Sequence, residues 1–190
     1  TWDDNYVPDR GKVLSAEDLG NMGDFYRYLD VDGDHIPYRT LPGTHPTKGA
    51  FFTRGSGHNK YGKYTEDSAE YKEVVDRLKL KWKSAAEKVP APIVRKGKGK
   101  ARYGLIAIGS SDGAVAEAYD RLAKQGVHFD YMRIRGFPFA QSVEDFILDH
   151  DQVFVSEQNR DGQLHDLLLT ETSVPRDKLA SVRYYAGEPL

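Results

Sequence analysis

From residue 67 onward, hydrophobic and polar positions follow two alternating rhythms. Between 67 and 89, Tyr71, Val74, Val75, Leu78, Trp82, Ala85 and Val89 recur at the spacing of one helix face and leave Lys72, Glu73, Lys79 and Lys83 outside. Asp67, with Glu70 three residues on, supplies a helix start, and Pro90 and Pro92 stop it. From Tyr103 the rhythm changes. Gly104–Ile108 is a short apolar run ended by Gly109, as for a strand buried on both faces. Residues 112–125 return to helical spacing through Val115, Ala118, Tyr119 and Leu122, closed by Gly126. A second strand is predicted at 128–134. Ser142 can cap a helix over 143–149, with Asp145 where a capping box prefers Glu or Gln. A third strand follows at 152–156, a helix at 162–170 and a fourth strand at 180–185. Strands separated by helices of this length predict right-handed βαβ crossovers and a mostly parallel sheet, hence an α/β domain.

Residues 1–65 carry no such rhythm. They are rich in Gly, Pro, Asp and aromatic residues, and only a short helix near 15–21 is predicted, where Ser15 and Asp18 have capping-box spacing before Leu19. So long an irregular stretch fits an arm packed against another domain or subunit better than part of a free-standing domain. Residues 95–102 alternate Lys or Arg with Gly and Ala and are expected to form a basic, solvated linker. The expected organisation is therefore an arm over 1–65, an amphipathic helix and connector over 66–94, the linker over 95–102 and the α/β domain over 103–190. The first residue is Thr rather than Met, and no helix follows the last strand, so the chain is expected to be an excised piece.

Composition narrows the chemistry. The 190 residues are 29% charged and 39% hydrophobic with a net charge of −2, and cysteine is absent. A disulfide framework, a thiolate nucleophile and a cysteine-ligated iron–sulfur cluster are excluded from this chain. Near-neutral charge argues against nucleic acid as the main partner. The mean hydropathy is −0.64, and no apolar run approaches the ~20 residues of a membrane span.

Several motifs approach a known site and depart from it. Asp30-Val-Asp32-Gly-Asp34 opens like a calcium loop, but His35 and Leu41 stand where Gly and Glu are needed, which favours an Asp/Gly turn. Gly57-His-Asn-Lys-Tyr-Gly62-Lys63 matches a phosphate loop until Tyr64, where a Ser or Thr must hold magnesium. Gly104 to Gly113 has the wrong glycine spacing for a dinucleotide turn, and Asp130 falls inside the predicted second strand rather than at its end. The densest polar cluster, Gly43 to Asn59, includes His45, Lys48, Thr53, Arg54, His58 and Asn59. Arg and Lys there can hold carboxylates or phosphates, and an active-site contribution stands beside a plain polar contact between subunits. Two histidines thirteen positions apart make a poor metal site. Glu157 to Leu164 lies at the end of the third predicted strand, where ligands gather in open α/β sheets, although Asn, Asp and Gly also simply cap helices.

In order along the chain, Arg27-Tyr-Leu-Asp-Val-Asp-Gly-Asp34, Pro37-Tyr-Arg-Thr-Leu-Pro-Gly43, Phe52-Thr-Arg-Gly-Ser-Gly-His58, Asp76-Arg77-Leu78, Arg133-Ile-Arg-Gly-Phe-Pro-Phe139 and Glu157-Gln-Asn-Arg-Asp-Gly-Gln-Leu164 resemble the alpha subunit of 2-oxoacid:ferredoxin oxidoreductases, especially the 2-oxoglutarate type. The resemblance implies that 1–65 is the linker after a pyrimidine-type thiamine domain. It implies that 103–190 is a transketolase C-terminal-like domain, three-layered, with helices on both faces of a mostly parallel sheet. The intact enzymes it points to are cytoplasmic, decarboxylate a 2-oxoacid oxidatively, form an acyl-CoA and reduce ferredoxin through a [4Fe-4S] cluster. Thiamine diphosphate, magnesium, the cluster and CoA are then expected to be held by the rest of the alpha chain and the beta subunit, with no catalytic, cofactor or metal residue here. His45, Lys48, Thr53, Arg54, His58, Asn59, Glu157, Asn159 and Gln163 become candidates for an interface or for the entry to the substrate site. Two alternatives stand beside this reading: the C-terminal domain of another thiamine enzyme (transketolase-like or a dehydrogenase E1 component), or a stand-alone anion- or CoA-binding α/β module using the loop from Gly57 to Lys63.

Overall fold

The computed structural model describes residues 4–51 and 57–188. Cα packing divides the chain into a unit over Thr1–Ser84 and one over Ala85–Leu190. In the second unit the strand β2 (Tyr103–Ile108) is central, because it pairs in parallel with β3 (Asp130–Ile134) on one side and β4 (Gln152–Glu157) on the other. β5 (Leu179–Arg183) extends the sheet in parallel beside β4, and β1 (Ile93–Arg95) closes the opposite edge antiparallel to β3. The order is β1-β3-β2-β4-β5. From β2 the chain steps outward to β3, then crosses back over β2 to β4. With right-handed crossovers, that reversal sends the connecting helices to opposite faces.

The side chains follow this geometry. On one face, α3 (Ser111–Lys124) packs Val115, Tyr119 and Leu122 against Ala107, Phe129 and Tyr131. On the other, α4 (Gln141–Leu148) and α5 (Gln163–Glu171) pack Val143, Phe146, Ile147, Leu164 and Leu168 against Ile106, Met132, Val153 and Val155. Ile106 and Ala107, neighbours on β2, serve opposite faces because successive strand side chains alternate. The domain is thus the three-layer α/β sheet expected from the sequence.

Local differences have physical causes. β1 was absent from the sequence-based expectation, because three residues after two prolines carry too little pattern to count as a strand. The basic segment at 95–102 is tied down rather than a free linker. Lys96 Nζ and the Gly97 amide donate to Asp130 at 2.7 and 2.8 Å, Tyr119 donates to the Lys96 carbonyl, and Arg102 pairs with Asp151. Asp130 begins β3, two residues later than the predicted strand start. α4 starts before Ser142, with Ala140 in an extended conformation at its N-cap and no side-chain cap.

In the first unit, α1 (Ala16–Asn21) carries the predicted capping box, Ser15 and Asp18 each receiving the other's backbone N–H. Lys48 Nζ donates to the carbonyls of Leu19 and Met22 at the other end of α1, and Leu19 is fully buried. The long helix α2 (Ser68–Ala86) forms as expected, started by Asp67, which accepts from the Ala69 and Glu70 amides. Its covered face is not the expected one. Val74 is 7% exposed, but Tyr71, Val75, Leu78 and Trp82 are 53, 43, 42 and 56% exposed. Periodicity specifies a helix without specifying which stripe is covered.

Two outcomes test this packing. A Cβ on Gly104 would lie 2.8 Å from Phe146 and 3.0 Å from Val153, so Gly104→Ala is expected to destabilise the fold by about 1–3 kcal/mol in urea titration. At Asp130, burial acts to raise the carboxyl pKa. The hydrogen bonds from Lys96 and Gly97 and the charge of His150 outweigh it and hold the group below its ordinary value. A lowered carboxyl pKa contributes stability above the unfolded value and loses it as pH falls through the folded one. Asp130→Asn is therefore expected to destabilise the chain by about 1–3 kcal/mol at pH 7. Its urea midpoint should converge with wild type below about pH 4.

Candidate functional site

In a sheet of this order, the connections leaving β2 and β4 diverge to opposite faces and open a crevice at the carboxyl ends of those two strands. Ser110, just past β2, and Gln158, just past β4, meet across it at 3.4 Å. On the β3 side, Asp112 accepts from Tyr131 Oη at 2.9 Å and pairs with Arg133 Nη1 at 3.0 Å. Burial first, then the hydrogen bond to Asp112 and its charge, push the Tyr131 phenol well above its ordinary pKa. It stays a neutral donor.

The candidates at the β4 end have defined tasks. Glu157 is 2% exposed. Its carboxylate accepts from the Leu164 amide at 2.8 Å, the His165 amide at 3.1 Å and the Asn159 side-chain amide. Those two backbone amides belong to the first turn of α5, which otherwise lacks intrahelical partners there. Asn159 Oδ1 accepts from the amides of Asp161, Gly162 and Gln163, closing the turn between strand and helix. Gln163 is exposed. Glu157 and Asn159 thus serve as caps, and Gln163 is the member of the three that faces solvent.

In the first unit, His45 Nδ1 accepts from the amides of Thr47 and Lys48 at 3.2 Å, which places the proton of a neutral ring on Nε2. Lys48 holds the end of α1. His58 donates through Nδ1 to the Asn59 carbonyl at 2.9 Å and stacks on Tyr28 with centroids 4.2 Å apart. Asn59 Oδ1 accepts from the amides of Tyr61 and Lys63, and the Gly62 amide donates to the Asn59 carbonyl. The amides between Tyr61 and Lys63 are therefore spent inside the loop, and no helix opens directly from it. This corrects the alternative that used the segment as a phosphate cradle. Thr53 and Arg54 lie outside the described residues.

Asp30, Asp32 and Asp34 bring three carboxylate oxygens within 4.8 Å of one another. Lys12 Nζ lies 2.7 Å from Asp32 and 2.6 Å from Asp34, so an ammonium already pairs with two of the three. Its hydrogen bond holds the Asp34 carboxyl below its ordinary pKa. Arg27 and Arg77 enter the sequence reading only within motifs that carry the resemblance, Lys81 not at all, and none as a site candidate, although Val74, Arg77 and Lys81 share one face of α2. That spacing was the available signal.

No family model matches the chain. Among curated proteins, 2-oxoacid:ferredoxin oxidoreductase 2, subunit alpha, from Aeropyrum pernix is 30% identical over 187 residues, covering 96% of this chain. Among solved structures, the 2-oxoglutarate:ferredoxin oxidoreductase from Magnetococcus marinus with 2-oxoglutarate, coenzyme A and succinyl-CoA bound matches with a TM-score of 0.75 and 26% identity over 90% of this chain. Nearly the whole chain is thus similar to part of the 2-oxoacid:ferredoxin oxidoreductase alpha subunit.

It spans 28% of the Aeropyrum subunit and 29% of the Magnetococcus chain. Its own residues do not fit a cubane cluster, because the sequence has no cysteine to supply thiolates. Nor do the grouped aspartates fit a magnesium ion, since Lys12 already pairs with Asp32 and Asp34 and Asp30 accepts from two backbone amides. The capping assignment at the crevice is open to a direct check. Glu157→Gln puts an amide donor among three N–H groups and is expected to cost about 1–3 kcal/mol in urea unfolding. Gln163→Ala, on the exposed side of the same turn, should stay within about 0.5 kcal/mol of wild type.

Proposed function

We propose that this chain is a structural and subunit-interface region of a thiamine-dependent 2-oxoacid:ferredoxin oxidoreductase. The intact enzyme decarboxylates 2-oxoglutarate oxidatively to its acyl-CoA and reduces ferredoxin. The observation that carries the reading is the likeness over nearly the whole chain to two oxidoreductases of this kind, each more than three times as long. The remainder of the alpha chain, the beta subunit and ferredoxin are the partners of the proposed assembly, a cytoplasmic enzyme.

Within it, this chain's residues hold shape rather than react. Glu157, Asn159, His45, Lys48 and Asn59 direct polar atoms to backbone groups of their own chain. A carboxyl edge fixed by buried caps offers a neighbouring domain a preorganised surface. The chemistry of thiamine diphosphate with magnesium, the [4Fe-4S] cluster and CoA falls to chain outside these residues. Thr53 and Arg54, carried by the resemblance, are candidates for the entry to the substrate site in this reading.

The assembled enzyme tests it through 2-oxoglutarate- and CoA-dependent reduction of a viologen dye. Wild type is expected to turn over. Arg54→Ala should lower kcat/KM about tenfold or more, the size of one lost charge-assisted hydrogen bond. An assembly that turns over no 2-oxoacid contradicts the proposal, and an unchanged kcat/KM removes Arg54 from the substrate entry.

A further inference from the structure

The two faces of the sheet are not covered alike. A mostly parallel sheet packs helices on both faces. One helix, about 10 Å across, covers roughly two strands spaced ~4.8 Å apart. On one face, α4 and α5 bury Val153, Val155 and Leu179 of β4 and β5. On the other, α3 packs Val115, Tyr119 and Leu122 over Ala107, Phe129 and Tyr131, on the β2 and β3 side. Over β4 and β5 that second face stays open. Phe154 lies between Val153 and Val155 and so points to the α3 face, as does Val182, an odd number of residues from the buried Leu179. They are 38 and 47% exposed there, and Tyr103 and Val127 beside them 42 and 46%.

The open strip is shaped as well as apolar. Phe154 stands beside Ala180, and Val182 beside Ser156, so large and small residues alternate across the two strands. Next to the strip lies a cavity of about 260 Å³ lined by Tyr103, Leu105, Leu122, Phe129, Phe154 and Val182, with no charged side chain on it. Contacts that form and separate are about as polar as the rest of a protein surface, whereas permanent ones are more apolar. A carbon-lined strip of this kind therefore fits a permanent neighbour. Strands of six and five residues run about 20 Å, which a helix of about 13 residues spans.

The matched region makes up 28% of the Aeropyrum subunit and 29% of the Magnetococcus chain, so more than two thirds of each lies outside it. A segment of the same polypeptide reaches the strip at high effective concentration. It can also cover the strip while the chain folds, before any second subunit docks. We propose that the open strip over β4 and β5 seats an amphipathic helix from the remainder of the alpha polypeptide, its apolar stripe laid on Phe154 and Val182. The proposal rests on the oxidoreductase reading and names which partner in that assembly meets this domain, and on which face.

The chain has no cysteine, so Val182→Cys places a single thiol on the strip, and its alkylation reports access. Labelling by iodoacetamide, read at position 182 by mass spectrometry, is compared in the 190-residue chain, the alpha subunit alone and the complete enzyme. Each rate is referenced to the same site in urea. The alpha subunit alone should label at least about tenfold more slowly than the 190-residue chain, and adding the beta subunit should slow it no further. Phe154→Cys, at a second point on the strip, should behave in the same way. Equal rates in the 190-residue chain and the alpha subunit overturn the proposal. So does protection that begins only when the beta subunit is added, which would make that subunit the occupant. Slow labelling of the 190-residue chain itself also overturns it, and a rate that then rises on dilution would identify a second copy on the strip. Viologen-dye reduction by the same enzyme reports separately on the oxidoreductase reading. An enzyme that turns over while its alpha subunit leaves Val182→Cys open defeats this proposal alone.

Discussion

The carboxyl edge of the sheet depends on one enclosed carboxylate. Glu157 ends β4 and turns its two oxygens back onto the amides that open α5. Its carbonyl accepts from the Tyr184 amide, so the same residue fixes where β5 leaves the sheet. The turn between strand and helix must pass close by. Gly162 takes φ of +72° there, and a Cβ on it would meet Ser181 Oγ at 3.3 Å. Other residues seldom adopt that backbone conformation, and the glycine allows the turn to close tightly enough for the cap to form. Strand end, turn and helix start are therefore one cooperative feature.

The same economy of polar groups runs through the first unit. Lys48 finishes α1, Asn59 closes its own loop, and Lys12 neutralises two aspartates. A residue whose donors and acceptors are all spent on backbone holds geometry and has little left for a substrate. Among the described residues Arg77 is the exception, since its donor Nε is buried and unspent.

Much of the fold was legible in the sequence where apolar residues run together. Ile106 and Ala107 are buried on opposite faces of β2, and Val153 and Val155 on one face of β4 with Phe154 between them partly exposed, and runs of this kind are hard to mistake. The capping box at Ser15 was equally readable, since its chemistry is local. Legibility failed where the answer lay in tertiary context. The stripe through Tyr71, Val75, Leu78 and Trp82 signals a helix, yet the structure covers Val74 and brings the Arg77 side inward. β1 is held by pairing with β3, a partner 36 residues away at Arg95 and Tyr131 and 40 at Ile93 and Arg133, so nothing local announces it. At the candidate site, helix capping is one of the two readings the sequence offers for Glu157 to Leu164. Which atoms do it, the Glu157 carboxylate on the Leu164 and His165 amides and Asn159 Oδ1 on the turn, shows only once α5 is placed against the strand end.

The central claim is that these residues support a reaction centre assembled outside them. Its most direct test is the purified chain supplied with thiamine diphosphate, magnesium, CoA, 2-oxoglutarate and a viologen dye. The same dye assay is then run after the chain is combined with the remainder of the alpha subunit and the beta subunit. The account predicts no dye reduction by the chain alone and turnover by the combination. Dye reduction by the chain alone would contradict it.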